Sequence, residues 1–112
     1  MSETYRFQGV GRNLQKDLLN AWYQRLGAAN AKREPVAYLF ISGNIAELLR
    51  PFGFHLVYPE VNALQCGIKR AADAFILEAE QSSYSPDVCA YVKNDIGLVR
   101  KGNHAPFGTL PK

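Results

Sequence analysis

Cys89 is the side chain in this sequence best suited to reactive chemistry. It follows Ser85-Pro86-Asp87, in which Ser85 suits an N-cap, Pro86 the first helical position and Asp87 the positive end of a helix dipole. That pattern predicts a helix beginning at Ser85 with Cys89 in its first turn. Unpaired backbone N–H groups and the dipole favour a thiolate there, and a thiolate is what iron or zinc ligation requires. The competing reading is an inert, buried thiol, the commoner fate of a free cysteine. Cys66 lies between Leu64 and Ile68 on an apolar helical stripe and reads as packing. His55 and His104 complete the set of soft or nitrogen ligands, but no CxxC or comparable spacing links the four residues, so a zinc site has no motif behind it.

Two further places invite chemistry. Glu60 follows Tyr58-Pro59 at the C-terminal end of a predicted strand, where the ligand sites of open α/β sheets gather. A carboxylate there is a proton donor or a turn residue. Ser42-Gly43-Asn44 leads from a strand into a helix, an arrangement that cradles anions, yet it lacks the glycine spacing of either common phosphate loop.

The elements that position these residues follow from periodicity. Val10, Leu14, Leu18, Trp22 and Leu26 recur every four residues, which predicts a helix over 10–26 ended by Gly27. Glu34-Pro35 breaks the chain. The apolar run 36–41 then reads as a strand buried on both faces, bounded by Pro35 and by Ser42-Gly43-Asn44. Asn44 with Glu47 forms a capping-box pattern for a short helix whose Ile45, Leu48 and Leu49 face inward. Pro51 and Gly53 close that helix, and 54–58 is a second strand stopped by Pro59. Strand, short helix and strand form a βαβ unit, which favours parallel pairing.

Val61, Leu64, Ile68, Ala71, Ala72, Phe75, Ile76 and Ala79 predict one long helix. The helix from Ser85 buries Val88, Tyr91, Val92, Ile96 and Val99 and ends at Arg100-Lys101 before Gly102. The tail, 103–112, reads as an unanchored loop. A stop there, after an α/β register has been established, is the expectation for a truncated larger domain, whose uncovered apolar surface would associate or aggregate. The fold class is α/β: an N-terminal helix, a short βαβ unit and two following helices. Residues 1–35 form an N-terminal helical segment, and 36–112 part of an α/β domain.

Composition sets the outer limits. The 112 residues are 47% hydrophobic, 21% charged and 12% aromatic, ordinary values for a globular chain large enough to bury a core. The net charge is +3 and the pI about 9.0. The cations are scattered among acids and lack aromatic interleaving on one face, which argues against nucleic acid as a partner. The first ten residues contain Glu3 and Arg6 and no apolar stretch, unlike a secretory signal. No apolar run reaches the roughly 18 residues that span a bilayer. A cytoplasmic location without membrane contact is expected.

Two stretches carry a family resemblance. Tyr58-Pro59-Glu60-Val61-Asn62-Ala63-Leu64-Gln65 and Tyr84-Ser85-Pro86-Asp87-Val88-Cys89-Ala90-Tyr91-Val92-Lys93-Asn94-Asp95-Ile96-Gly97, with the later Lys101-Gly102-Asn103, resemble the larger iron–sulfur subunit of the benzoyl-CoA reductases. The 2-hydroxyacyl-CoA dehydratases are relatives of that family. The resemblance runs from about Val36 to Lys112, with weaker similarity before it.

It implies Rossmann-like α/β domains and a [4Fe-4S] cluster held by cysteines spread along the chain, with Cys89 matching the first ligand position. Cys66 has no counterpart among the ligands, and the partner cysteines are expected downstream of Pro111-Lys112. A cubane needs three or four cysteine ligands, so this chain supplies an incomplete set. The resemblance also implies other reductase subunits, an ATP-hydrolysing activator, ferredoxin as electron donor and an acyl-CoA substrate. On that reading Cys89 is the cofactor and metal ligand, and Glu60, by position, is the catalytic candidate in the acyl-CoA pocket. A dehydratase subunit of the same superfamily and a cofactor-free interaction module are the alternatives.

Overall fold

A computed structural model describes residues 9–111, apart from 42 and 44. Its first element, α1 (Val10–Lys32), runs six residues past the expected end. Gly27 does not stop it. Instead this glycine lets the backbone of the C-terminal hairpin come close, since a Cβ there would sit 3.4 Å from the Thr109 carbonyl oxygen. Arg33, in the left-handed region, ends the helix and returns its N–H to the carbonyls of Ala29 and Asn30.

The expected apolar stripe of α1 is only half used. Tyr23, Leu26 and Ala29 are buried and Trp22 packs beside them, whereas Val10, Leu14 and Leu18 are exposed, Val10 to 84%. The core lies against the second half of the helix alone.

After Pro35, β1 (Val36–Tyr38) pairs in parallel with β2 (His55–Val57), Val36 opposite His55 and Tyr38 opposite Val57. The parallel βαβ unit is therefore as the apolar runs predict. β1 is shorter than expected and only half-buried, with Phe40 and Ile41 exposed beyond it, because the two-stranded sheet has no layer over its far side among the described residues. The crossover holds α2 (Ala46–Leu49) and a 3₁₀ turn over Arg50–Phe52. Ile45, at φ 55°, stands at the N-cap of α2; Ile45 and Leu48 are exposed rather than inward-facing. The Asn44 cap expected from sequence lies outside the described residues.

Pro59 does more than stop β2. It takes the first position of α3 (Pro59–Ile68), where its missing N–H is no loss. The single long helix expected here is two helices, α3 and α4 (Ala72–Gln81). Arg70 in the left-handed region (φ 56°) breaks them, and the Ala71 N–H returns to the Cys66 carbonyl at 2.9 Å. The apolar period continues across the break, but the corner turns α4 to lie along α5 (Ala90–Arg100).

That helix begins after Cys89, not at Ser85. Residues 85–88 form a separate turn, with the Val88 N–H on the Ser85 carbonyl at 3.1 Å and the Asp87 N–H on Ser85 Oγ at 3.2 Å. The one-turn shift changes the buried face: Lys93, Asn94, Gly97 and Leu98 are inside, while Tyr91, Val92 and Val99 are exposed.

The tail is anchored. β3 (His104–Ala105) and β4 (Gly108–Thr109) make an antiparallel hairpin. Leu110 enters the core with Tyr23, Leu26, Val57, Cys66, Phe75 and Leu98. Tyr38 Oη donates to the Pro111 carbonyl at 2.7 Å, and Asn103 Nδ2 to the same oxygen at 3.2 Å. The unanchored loop expected from its Gly and Pro content is therefore corrected by these long-range bonds.

Candidate functional site

Cys89 has an extended backbone (φ −45°, ψ 130°) and occupies the N-cap of α5. Its carbonyl accepts the Lys93 N–H at 3.0 Å, the first bond of the helix, and its side chain is exposed and free. The Ser85 cap pattern predicts Cys89 in the first turn, four positions further inside the helix than it stands, because the turn begun by Ser85 closes at Val88. The thiol still stands at the positive end of the dipole, open to a partner from outside the chain.

A buried lysine holds that thiol's approach segment. Lys93 is 5% exposed, and its Nζ donates to Glu80 Oε1 and to the Pro86 carbonyl, both at 2.7 Å. One ammonium thus ties α4, the 85–88 turn and α5 together directly before Cys89. Charge-assisted bonds of this kind are roughly twice as strong as neutral ones.

The other candidate ligands are otherwise engaged. Cys66 is fully buried in α3, and burial pushes its thiol pKa up, with the polar Asn94 amide acting in the opposite direction. His55 is paired with Glu34 through Nε2 and Oε2, and His104 Nδ1 lies 3.0 Å from Thr109 Oγ1. Among the described residues no group of three or more His, Cys, Asp or Glu side chains is placed to hold a metal. Of the two thiols, that of Cys89 is exposed and that of Cys66 buried. Glu60, exposed in the first turn of α3, complements that helix dipole and stands apart from any such group.

Sequence reasoning missed a set of buried polar side chains. Asn62, Asn94 and Asn103 are all at most 3% exposed. Tyr23 Oη donates to Asn62 Oδ1 at 3.0 Å. Asn62 Nδ2, both polar atoms of the Asn94 amide, Asp95 Oδ1 and Asn103 Oδ1 are buried without a hydrogen-bond partner among the described residues. Burial raises the Asp95 pKa, and the Tyr38 phenol is raised by burial and then by the Asp95 charge. Tyr23 is raised likewise, by burial first and Cys66 second. The signal was present: Asn62, Lys93, Asn94, Asp95 and Asn103 all fall within the stretches that carry the family resemblance.

The fold and site define an α/β segment with one exposed thiol at a helix N-terminus and several buried polar side chains in its interior. No family model matches the chain. Two proteins do. A benzoyl-CoA reductase subunit of Thauera aromatica is 39% identical over 94 residues, 84% of this chain and 22% of that protein. The alpha subunit of (R)-2-hydroxyisocaproyl-CoA dehydratase of Clostridioides difficile is 31% identical over 86 residues, 77% of this chain and 21% of that protein. The chain is thus a relative of the benzoyl-CoA reductase and 2-hydroxyacyl-CoA dehydratase subunits, and it spans about a fifth of the length of the curated relatives it matches. No described helix is long and apolar enough to cross a membrane.

Proposed function

We propose that this chain is the leading part of an iron–sulfur subunit of a cytoplasmic, ATP-dependent, ferredoxin-linked acyl-CoA reductase of the benzoyl-CoA type. The carrying observation is the 39% identity to the Thauera aromatica benzoyl-CoA reductase subunit over 84% of the chain. In this reading residues 36–112 belong to a Rossmann-like domain preceded by a helical segment, residues 1–35.

Cys89 supplies one thiolate ligand of a [4Fe-4S] cluster, with the remaining ligands from outside this chain. When bound, the cluster supplies low-potential electrons to the thioester carbonyl of the substrate. The chain's own contribution is structural and electrostatic. The dipole of α5 favours the thiolate form of Cys89. Lys93 fixes the 85–88 turn so that the thiol is presented in one orientation. Glu60 faces the acyl-CoA pocket as a proton donor. Other reductase subunits and an ATP-hydrolysing activator complete the enzyme.

The match to a dehydratase subunit at 31% identity favours a second reading, in which the same electron eliminates water from a 2-hydroxyacyl-CoA. The two separate in one assay. The assembled enzyme, given reduced ferredoxin and ATP, is supplied with benzoyl-CoA or with a 2-hydroxyacyl-CoA. Ring reduction without dehydration supports the reductase; dehydration alone supports the second reading and ends the first.

A further inference from the structure

A groove of about 950 Å³ lies between the first half of α1, the end of α3 and the turn of the hairpin. Its charged lining is of one sign. Arg12 and Lys16, one turn apart on α1, stand on one wall and Lys69, at the end of α3, on the other. Among the described residues no Asp or Glu lines it. None of the three cations has a carboxylate partner among the described ion pairs, which join His55 to Glu34, Lys93 to Glu80 and Arg100 to Glu78. Between the cations the floor is apolar. Phe107 stacks on the buried Tyr23 ring, centroids 5.3 Å apart, and Lys69 Nζ sits 5.4 Å from the Phe107 centroid. Leu19 and the exposed Ile68 continue that floor.

The shape suits a helix. From Arg12 to Asn20 the α1 wall is about 12 Å long, and two turns of a helix about 10 Å across fill roughly 850 Å³. The hairpin reaches the groove through its turn, at Pro106 and Phe107, so it offers no strand edge to an extended segment, whereas a helix satisfies its own backbone. The amides of Asn13, Asn20 and Gln65 stand among the cations, the polar surround of a surface that meets a separate protein. The exposed side chains of the β1–β2 crossover differ. Phe40, Ile41, Ile45, Leu48 and Phe52 are large and apolar, the composition of a permanently covered face.

We propose that this groove docks an acidic amphipathic helix of a separate protein. Two carboxylates one turn apart on that helix meet Arg12 and Lys16, and a third on its opposite flank meets Lys69. The apolar stripe between the flanks lies on Leu19, Ile68 and Phe107. Charge complementarity of this kind steers encounter and fixes the register of docking, and it makes binding sensitive to salt.

The test is fluorescence anisotropy of a labelled, end-capped peptide of sequence EAELEAELAALEAEL, titrated with the full 112-residue chain. As a helix this peptide carries one leucine stripe with glutamates on both flanks. Saturable binding is expected. Glutamine in place of every glutamate should weaken it about tenfold, as should proline in place of a mid-helix alanine. Lys16→Gln and Lys69→Gln should each weaken it about threefold, and the triple Arg12→Gln, Lys16→Gln, Lys69→Gln variant about tenfold or more. Lys101→Gln, an exposed cation outside the groove, should leave it unchanged. All of these are surface changes, and unaltered far-ultraviolet circular dichroism checks the fold. The chain extended through its adjoining coding sequence should bind the peptide equally well.

Absence of saturable binding overturns the proposal, as does full affinity in the triple variant or equal binding of the glutamine peptide. Loss of binding in the extended chain also overturns it, since the groove is then covered within the subunit. Tighter binding of a short oligonucleotide through the same cations assigns the groove to another class of partner and overturns it too. None of these results touches iron content, so the cluster reading stands or falls separately.

Discussion

Replacing Gly97 by alanine tests the contact on which the α4–α5 pair is built. In an exposed helix that change is favourable by about 1 kcal/mol. Here a Cβ would lie 1.8 Å from the Phe75 carbonyl oxygen, 2.5 Å from its carbon and 2.7 Å from its Cα. Carbon–oxygen contacts settle at roughly 3.3–3.6 Å, so α5 must retreat from α4 by about 1.5 Å. The obstacle is backbone, which no rotamer change relieves. A gap of even 0.5–1 Å forfeits about a quarter to a half of each contact's dispersion energy, and the contacts affected are those of Leu98, Phe75 and Ala79, all buried.

Overpacking costs typically about 1–3 kcal/mol. With the propensity gain set against the upper end, a net loss of about 2 kcal/mol is expected, lowering Tm by roughly 10 °C for a chain of this size. Gly67, also helical, has nothing within 4 Å of its Cβ position, so Gly67→Ala should gain about 0.5–1 kcal/mol. Urea unfolding of the parent and both variants, fitted with a common slope, reads the two signs. Equal or greater stability in Gly97→Ala would refute the close approach of α4 and α5.

Lys93→Met leaves the Pro86 carbonyl and Glu80 without their ammonium and is expected to cost about 2 kcal/mol; hydrogen exchange should show the 85–89 amides exchanging faster, and unchanged protection there contradicts the tie. A thiol reagent should titrate one cysteine in the native chain and two in denaturant, with Cys89→Ser abolishing the native reaction, because Cys66 is buried and its thiol pKa raised. Asp95 has a raised pKa through burial, so its contribution to stability is complete below its unfolded value of about 3.9 and is lost as pH rises through the folded value. Relative to the parent, Asp95→Asn should therefore gain stability between acid and neutral pH, measured by denaturant titration across that range; a constant difference across that range contradicts the buried carboxylate.

The order of elements and the parallel pairing were legible because apolar runs and prolines are local signals. Val36-Ala37-Tyr38 and His55-Leu56-Val57 sit where those signals put them. What periodicity missed depends on distant partners. Val10, Leu14 and Leu18 have the spacing of a buried stripe, but nothing in that spacing reveals that the core begins at Trp22. The corner at Arg70 is a backbone event on an unbroken apolar period. The buried face of α5 is polar because Lys93 finds Glu80 and Pro86 and Asn94 lies against Cys66, partners 7 to 28 positions away.

The tail looked loose because its anchors, Tyr38 to Pro111 and Tyr23 against Phe107, come from the other end of the chain. At the candidate site, Cys89 was legible from its cap-like context. The lysine that steadies its turn was hidden, since a charged residue on a helix ordinarily faces water.

The central claim is that Cys89 is a cluster ligand of an iron–sulfur subunit. Its most direct test is an anaerobic assay of iron and acid-labile sulfide, with a visible spectrum, on this chain extended through its adjoining coding sequence. The expected result is a brown protein with iron and sulfide, and loss of both in Cys89→Ser while Cys66→Ser retains them. A colourless extended protein contradicts the claim and favours an interaction module without a cluster; full iron in Cys89→Ser contradicts the assignment of Cys89 as a ligand.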